Sequence, residues 1–526
     1  MEVALPSNSP NEPAIHKLVD DILEEIFLLN ASHTLPLADP ELQKLQHATT
    51  VASSQVCTRW RSISLNCHTI WSLIINYRRH SLKWIETLLD RSNPSLLDFG
   101  SRITDGGVYI DGDRRARGVL KLVFNHTHRL RIFNLHVPVS TWGFVSSRFL
   151  QLPVPNLEFV RVLLEGIRVG GHLTHPLFNN QAPNLQSLGL LRCSVDFTSP
   201  VLTSLTDLFV RDIERRNAAV PTALDWLNIL RGMPSLRWLT LFDAISSTPA
   251  NDICPVTHLD ALEMLYVDGP FHESVTLVKH LIMPPRCGLG LRCDYAQLGF
   301  DQQQLWDIIE KKVDSWATNV PNRHLIATGP HGFVRIRNLL HDNCGPSARA
   351  YWKQQLEYPD FLDPIVSINL NLSNDQETFP LFISLFALFE RTFSDTKYLQ
   401  LWINHDVGAE AFLPLVDSFR GFVNLEKLYV VNESLLKLLF PLLQQGNPVL
   451  LPALQSLYFY DVKFLHSSDS ILRVADFLQW RRAQGFPVQK IGVKGCRINR
   501  NYILRQIQDT VVQIYDSNIP DSDTED

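Results

Sequence analysis

The sequence holds no Cys-x-x-Cys pair. Its eight cysteines, Cys57, Cys67, Cys193, Cys254, Cys287, Cys293, Cys344 and Cys496, lie far apart. That scatter excludes the common zinc and dithiol signatures and reads as free, mostly buried thiols in a reducing compartment. Long apolar runs are also missing. The most apolar stretch, FPLFISLFALF (379–389), is expected to be a buried helix, because its eleven residues are too few to span a bilayer. The start, MEVALPSNSPNEPAIHKLVDD, lacks the basic and apolar regions of a secretory signal. The expected compartment is the cytosol or nucleus, without a membrane.

Motifs of catalysis are scarce too. There is no G-x-x-x-x-G-K-[ST], G-x-G-x-x-G or G-x-S-x-G. Gly288-Leu289-Gly290 is a lone G-x-G in a strand pattern, which reads as backbone packing. His172 with His175 and His126 with His128 have no third ligand beside them, so no metal or other cofactor is expected. The formal charge is −6 with 54 acidic residues, which provides no broad attraction for nucleic acid or anionic lipid. Arg78-Arg79 and Arg114-Arg115-Ala116-Arg117 are too short to change that. The balance favours binding over enzymatic chemistry.

What is present is apolar periodicity. The chain has 526 residues, 45% hydrophobic and 19% charged, enough to bury a large core. Residues 1–14, rich in Pro, Ser and Asn, read as a loose arm. From Ile15 the spacing becomes helical. Leu18, Ile22, Ile26 and Leu29 line one face, Leu23 and Phe27 widen it, and Asp20, Asp21, Glu24 and Glu25 occupy the other. Residues 31–41 read as a loop. In QVCTRWRSISLNCHTIWSLI (55–74), Val56, Trp60 and Ile63 fall at i, i+4, i+7, and Trp71 and Ile74 at i, i+3. SLKWIETLLDRS (81–92) predicts a further short helix with a serine cap.

From about residue 96 the texture changes to recurring strands: PNLEFVRVLL (155–164), PNLQSLGLLRC (183–193), LTSLTDLFVRD (202–212), PSLRWLTLFDA (234–244), LDALEMLYVDG (259–269), TKYLQLWIN (396–404), VNLEKLYVVN (423–432) and PALQSLYFYD (452–461). Most fit L-x-x-L-x-L. Their fourth positions, Val160, Leu188, Leu208, Leu239, Leu265, Leu399, Leu428 and Leu457, are separated by 28, 20, 31 and 26 residues, then 134, then 29 and 29. Apart from the long gap, this centres on the leucine-rich-repeat period of roughly 20–29 residues. Helical stretches lie between them at 219–232, 274–283, 381–393 and 433–446. Degenerate strands are expected inside the gap at 287–293, 331–340 and 364–372, and a last one at 491–495. An α/β solenoid with a curved parallel sheet follows over 96–510, irregular between 290 and 395. A doubly wound α/β enzyme is the competing arrangement. Residues 511–526 read as an acidic, disordered tail.

Leu18, Ile22, Leu23, Ile26 and Phe27, followed by Val56, Cys57, Trp60, Arg61, Ile63, Leu65, Trp71 and Ile74, resemble the F-box-like domains of basidiomycete fungi. Those domains run roughly L-P-x-E-I-L-x-x-I-F, V-C-x-x-W-R-x-I-A, then L-W. With the exit helix the match spans 15–95. One departure is Val19, where the family has proline. The resemblance implies a substrate-recognition subunit of an SCF-type cullin–RING ubiquitin ligase, or alternatively a non-ligase scaffold. It implies binding of the Skp adaptor, and through it cullin and RING subunits, by Leu18, Ile22, Ile26, Val56, Trp60, Arg61 and Trp71. An unidentified target protein would sit on outward strand positions of the solenoid. These are Arg161, Phe209, Arg211, Phe242, Tyr266, Trp402, Tyr429, Tyr458 and Tyr460.

Overall fold

The structure is a computed structural model. It describes residues 14–32 and 40–295, apart from 101, 103–106, 111–112, 167–170, 173–175, 214–219, 247–253 and 286. Beyond these it describes 307–308, 311, 325–329, 333–339, 364–372, 397–403, 413, 416–431, 433–445, 448–460, 462–464, 470–494, 497–498 and 511–514. The predicted arm before residue 14, most of the predicted loop at 31–41 and the helix at 381–393 lie outside the described residues, as does the predicted tail at 511–526 beyond Ile514; Val511–Ile514 form a paired strand, which corrects the reading of that part as disordered. The fold is mixed α/β with a mostly parallel sheet. The chain divides into two compact units, the described residues up to Ile213 belonging to the first and those from Val220 to the second.

The first unit opens with five helices, α1 (Asp20–Ala31), α2 (Pro40–Ser53), α3 (Thr58–Asn66), α4 (His68–Leu73) and α5 (Leu82–Arg91). Asp20 and Asp21 in the first turn of α1 suit the positive end of its dipole. Ser81 caps α5 by accepting from the Trp84 backbone N–H at 3.3 Å, as its position in the sequence predicts. Helix α3 starts at Thr58, so Val56 stands in the turn before it rather than on the predicted helical face.

Six parallel strands of one sheet follow in the first unit: β1 (Leu97–Phe99), β2 (Val108–Tyr109), β3 (Leu130–Pro138), β4 (Phe159–Glu165), β5 (Ser187–Leu191) and β6 (Asp207–Arg211). β1 and β2 both pair with β3, and β3, β4, β5 and β6 then pair in sequence. Helix α6 (Arg114–Phe124) precedes β3 and α7 (Val139–Arg148) follows it. The register aligns Phe133, Val160, Leu188 and Leu208 into one row, each at most 1% exposed. Each strand buries apolar side chains only because the next strand repeats the spacing.

In the second unit, α8 (Ala223–Arg231) carries a capping box between Thr222 and Asp225. It leads to β7 (Trp238–Phe242), β8 (Met264–Pro270), α9 (Phe271–His280) and β9 (Gly288–Tyr295). The long gap in the leucine spacing holds β10 (Leu325–Gly329), β11 (Phe333–Leu339) and β12 (Pro364–Leu372). Then come β13 (Tyr398–Ile403), β14 (Lys427–Val431), α10 (Glu433–Gln444), β15 (Ser456–Tyr460), α11 (Ser470–Ala483), β16 (Lys490–Lys494) and β17 (Val511–Ile514). The spatial order is β7-β8-β9-β12-β11-β10-β13-β14-β15-β16-β17. β11 alone among these runs antiparallel to both neighbours, and the order reverses across β10 to β12. Strand segments were expected in that gap. Their reversed order corrects the simple succession of repeats that the spacing implies.

Two buried arginines close backbone ends. Arg129, 2% exposed, donates to the carbonyls of Leu89, Ser92 and Ser95 at 3.1, 2.7 and 2.8 Å. Arg481, 1% exposed, donates to the carbonyls of Leu450, Leu451, Leu454 and Phe486 at 2.9, 3.1, 3.3 and 2.9 Å. Each guanidinium gathers several backbone carbonyls at the ends of helices and turns. Burial lowers both pKa values, Arg481 to about 10, so the Arg481 guanidinium remains charged at neutral pH.

Truncating the shared row tests the packing. Leu188→Ala is expected to cost about 2–5 kcal/mol, because the flanking strands hold the cavity open. Urea unfolding followed by circular dichroism measures it, and a loss below about 1 kcal/mol would contradict a close-packed row.

Candidate functional site

Leu23, Phe27, Ala31, Ile63, Cys67, Ile70, Trp71, Ile74 and Leu88 form the core of the helical segment. Trp71 is fully buried and its indole N–H donates to the Ser64 carbonyl at 2.7 Å. This corrects its assignment to a docking face: Trp71 fills the core, and Arg91 lies over its ring at 4.6 Å. Trp60 is half-buried, edge-on to Phe27 with ring centroids 5.2 Å apart. The Cys57 sulfur accepts the Trp60 backbone N–H at 3.4 Å and so caps α3. Arg59 ties α3 to the start of α1, reaching Asp20 Oδ1 at 2.6 Å and the Leu18 carbonyl at 2.5 Å.

Outside that core stands a row of uncovered apolar side chains. Val19, Ile22 and Leu29 are 62%, 48% and 60% exposed, and Val56 is 62% exposed. Leu18 and Ile26 are half-buried beside them, and Arg61 is exposed. Val19, Ile22, Ile26 and Leu29 fall at i, i+3, i+7 and i+10, a stripe along α1. Covering one Leu- or Ile-sized side chain contributes about 1.5–3 kcal/mol, which this stripe forgoes while it stands in water. Of the residues proposed for an adaptor, the structure places Ile22 and Val56 outermost and Trp71 inside.

The outward strand positions divide into open and closed. Arg161, Phe209 and Arg211 are half-buried in the first unit. The Arg161 guanidinium lies 5.7 Å over the Phe209 ring, crossing the intervening strand at Gly189. A Cβ on Gly189 would come within 3.0 Å of Arg161 Cγ. In the second unit Phe242, Tyr266 and Tyr458 are only 9%, 5% and 8% exposed, which corrects their reading as open contact residues. Tyr266 lies flat across Gly290, where any Cβ would collide with its ring. Tyr429, half-buried, stacks on Tyr458 with centroids 4.5 Å apart and planes 14° apart, and Lys490 Nζ lies 5.9 Å from the Tyr458 ring. Trp402 and Tyr460 hold register positions in β13 and β15, and their side chains lie outside the described residues.

Sequence reasoning missed two polar clusters, since both join distant segments. His136 Nε2 pairs with Glu165 Oε1 at 2.8 Å beneath the Tyr109 ring. Burial, aided by Arg78 and Arg192, lowers the His136 pKa against the opposing pull of Glu165. In the helical segment, the Trp84 indole N–H donates to His47 Nε2 at 3.1 Å, tying α2 to α5, and the His47 and His80 rings lie 4.6 Å apart. His80 Nδ1 accepts from the Asn76 backbone N–H at 3.2 Å. Both hydrogen bonds need unprotonated rings.

The thiol of Cys193 is fully enclosed, and burial pushes its pKa up to about 12, far from a nucleophile's range. The rings of His126 and His128 lie 6.2 Å apart, and His175 lies outside the described residues. Among the described residues, no group of three or more His, Cys, Asp or Glu is placed to hold a metal ion, and no helix is long and apolar enough to cross a membrane. Comparison of the chain with protein-family models and with curated proteins finds no match.

The histidine cluster predicts a pH response. Burial, with His47 and Arg115 adding repulsion, lowers His80 from 6.5 to about 4. The unfolded chain therefore binds this proton first. The stability that the neutral ring contributes is present above pH 6.5 and is lost as pH falls toward about 4. Thermal unfolding of wild type should weaken across that window. His80→Gln should flatten the decline, and an unchanged slope would contradict the assignment.

Proposed function

We propose that the chain is a substrate-recognition subunit of an SCF-type cullin–RING ubiquitin ligase. The helical segment is an F-box-like module that docks onto the Skp adaptor, and the strand-bearing part is a leucine-rich-repeat solenoid that holds the target. The observation that carries this reading is the uncovered apolar stripe of α1, with Val56 exposed before α3, on a helical segment with its own packed core. A segment that folds around Trp71 and leaves Val19, Ile22 and Leu29 in water has the form of a docking surface. The parallel succession of β3 to β6, and of β13 to β17, supports the repeat reading. On this reading the chain catalyses no bond change. It raises the effective concentration of a target lysine near the ubiquitin-charged enzyme.

Purified Skp adaptor should capture the wild-type chain, and Ile22→Glu with Val56→Glu should lower affinity roughly tenfold or more, as charged groups are forced into an apolar contact. Both positions are exposed, so circular dichroism should be unchanged. A folded wild type that ignores the adaptor would overturn the proposal.

Val19 offers a second test. Its φ of −71° already lies in the window that proline imposes, at the N-cap of α1. Val19→Pro should therefore fold normally and gain about 0.4–1 kcal/mol through a stiffer unfolded chain. It should hold or tighten adaptor binding, and weaker binding would place the contact elsewhere.

A further inference from the structure

The apolar row of α1 does not end with the helix. Before α1 lies one short turn, Ala14–Lys17, in which Ile15 is 41% exposed. Ile15, Val19, Ile22, Ile26 and Leu29 keep helical spacing, so the row runs back to the point where residues 1–13 join the described chain. The opposite face of α1 carries Asp20, Asp21, Glu24 and Glu25, and Arg59 meets Asp20 at 2.6 Å. Residues 1–13, MEVALPSNSPNEP, include Glu2 and Glu12 but no Lys or Arg. Their apolar side chains gather at Met1, Val3, Ala4 and Leu5, while Pro, Ser, Asn and Glu alone fill 6–13.

We propose that residues 1–13 fold back over this row through Val3 and Leu5, so that the arm and the adaptor compete for it. The inference rests on the ligase reading and adds a regulation of its docking surface. Three features select the arm as the occupant. The first is reach: the nine positions from Leu5 to Ala14 span up to about 30 Å when extended. The row from Val19 to Leu29 extends only about 15 Å along α1. The second is charge. Glu2 and Glu12 are repelled by the acidic face of α1, so what draws the arm to this helix is apolar. The third is continuity, since Ile15 carries the exposed apolar surface up to the start of the arm. A short tether holds Val3 and Leu5 near the row at an effective concentration on the order of a millimolar, so even a weak contact is populated. An adaptor that covers the row more fully displaces it.

A photoreactive benzophenone side chain in place of Leu5, in the full chain, tests the contact without the adaptor. Its crosslinks, mapped by mass spectrometry, should form within one copy and fall on the row from Ile15 to Leu29. They should weaken roughly threefold or more in Ile22→Glu, where a charge interrupts the row. Crosslinks elsewhere on the chain, none at all, or crosslinks between two copies would overturn the proposal. Val3→Asp with Leu5→Asp changes only residues before the folded part and should tighten binding of purified adaptor roughly two- to tenfold. An adaptor that binds wild type and this variant equally would also overturn it. If no variant captures the adaptor while position 5 still crosslinks to α1, the ligase reading fails and the arm contact stands.

Discussion

A strand of five residues cannot enclose its own leucines. Leu188 reaches full burial only because Val160 and Leu208 hold the same register on either side, and Leu428 stands in the same relation to Leu399 and Leu457. Everything else follows from that dependence. The spacing of the leucines is the spacing of the strands, the helices and short turns between strands cover the buried face, and the opposite face is left to carry other residues. The apolar gain of each strand is shared with its neighbours, so no single strand has a stability of its own.

Parallel connections leave carbonyls at strand and helix ends that no partner strand reaches. Arg129 and Arg481 each take several of these at once from inside the protein. A guanidinium suits this task because its donors fan out in a plane and it does not surrender its proton at neutral pH. Replacing either by a neutral apolar chain would remove several buried hydrogen bonds at once, a larger penalty than the loss of one ordinary hydrogen bond.

Much of this was legible in the sequence because it depends on local period. The inward row from Val160 to Leu208, the Ser81 cap and the strands at 333–339 and 364–372 are statements about alternation or about one turn, whereas β10 was not read from the spacing. Other features were not legible, for physical reasons. A two-residue alternation reads the same in either direction, so the antiparallel run of β11 could not be foreseen. Helical spacing puts Trp60 and Trp71 in apolar positions without saying which side meets water, and Trp71 proved to be interior. Alternation likewise placed Tyr266 and Tyr458 on the outward rows but not how deeply they are enclosed. The buried arginines looked like surface cations, since their partners lie 27 to 40 positions away for the contacts with Leu89 and Leu454. For the candidate site, Ile22 and Val56 were readable as apolar, while their exposure depended on where α3 meets α1.

Gly189 and Gly290 give the outward surface a property that its larger residues do not have by themselves. Each leaves a footprint into which a neighbouring strand's side chain lies flat, Arg161 on the first and Tyr266 on the second. Side chain and footprint are therefore one unit split between two neighbouring strands. A change that enlarges the glycine must be matched by a shrinking of its neighbour, so sequence drift on this face should proceed in coupled pairs rather than by independent single steps.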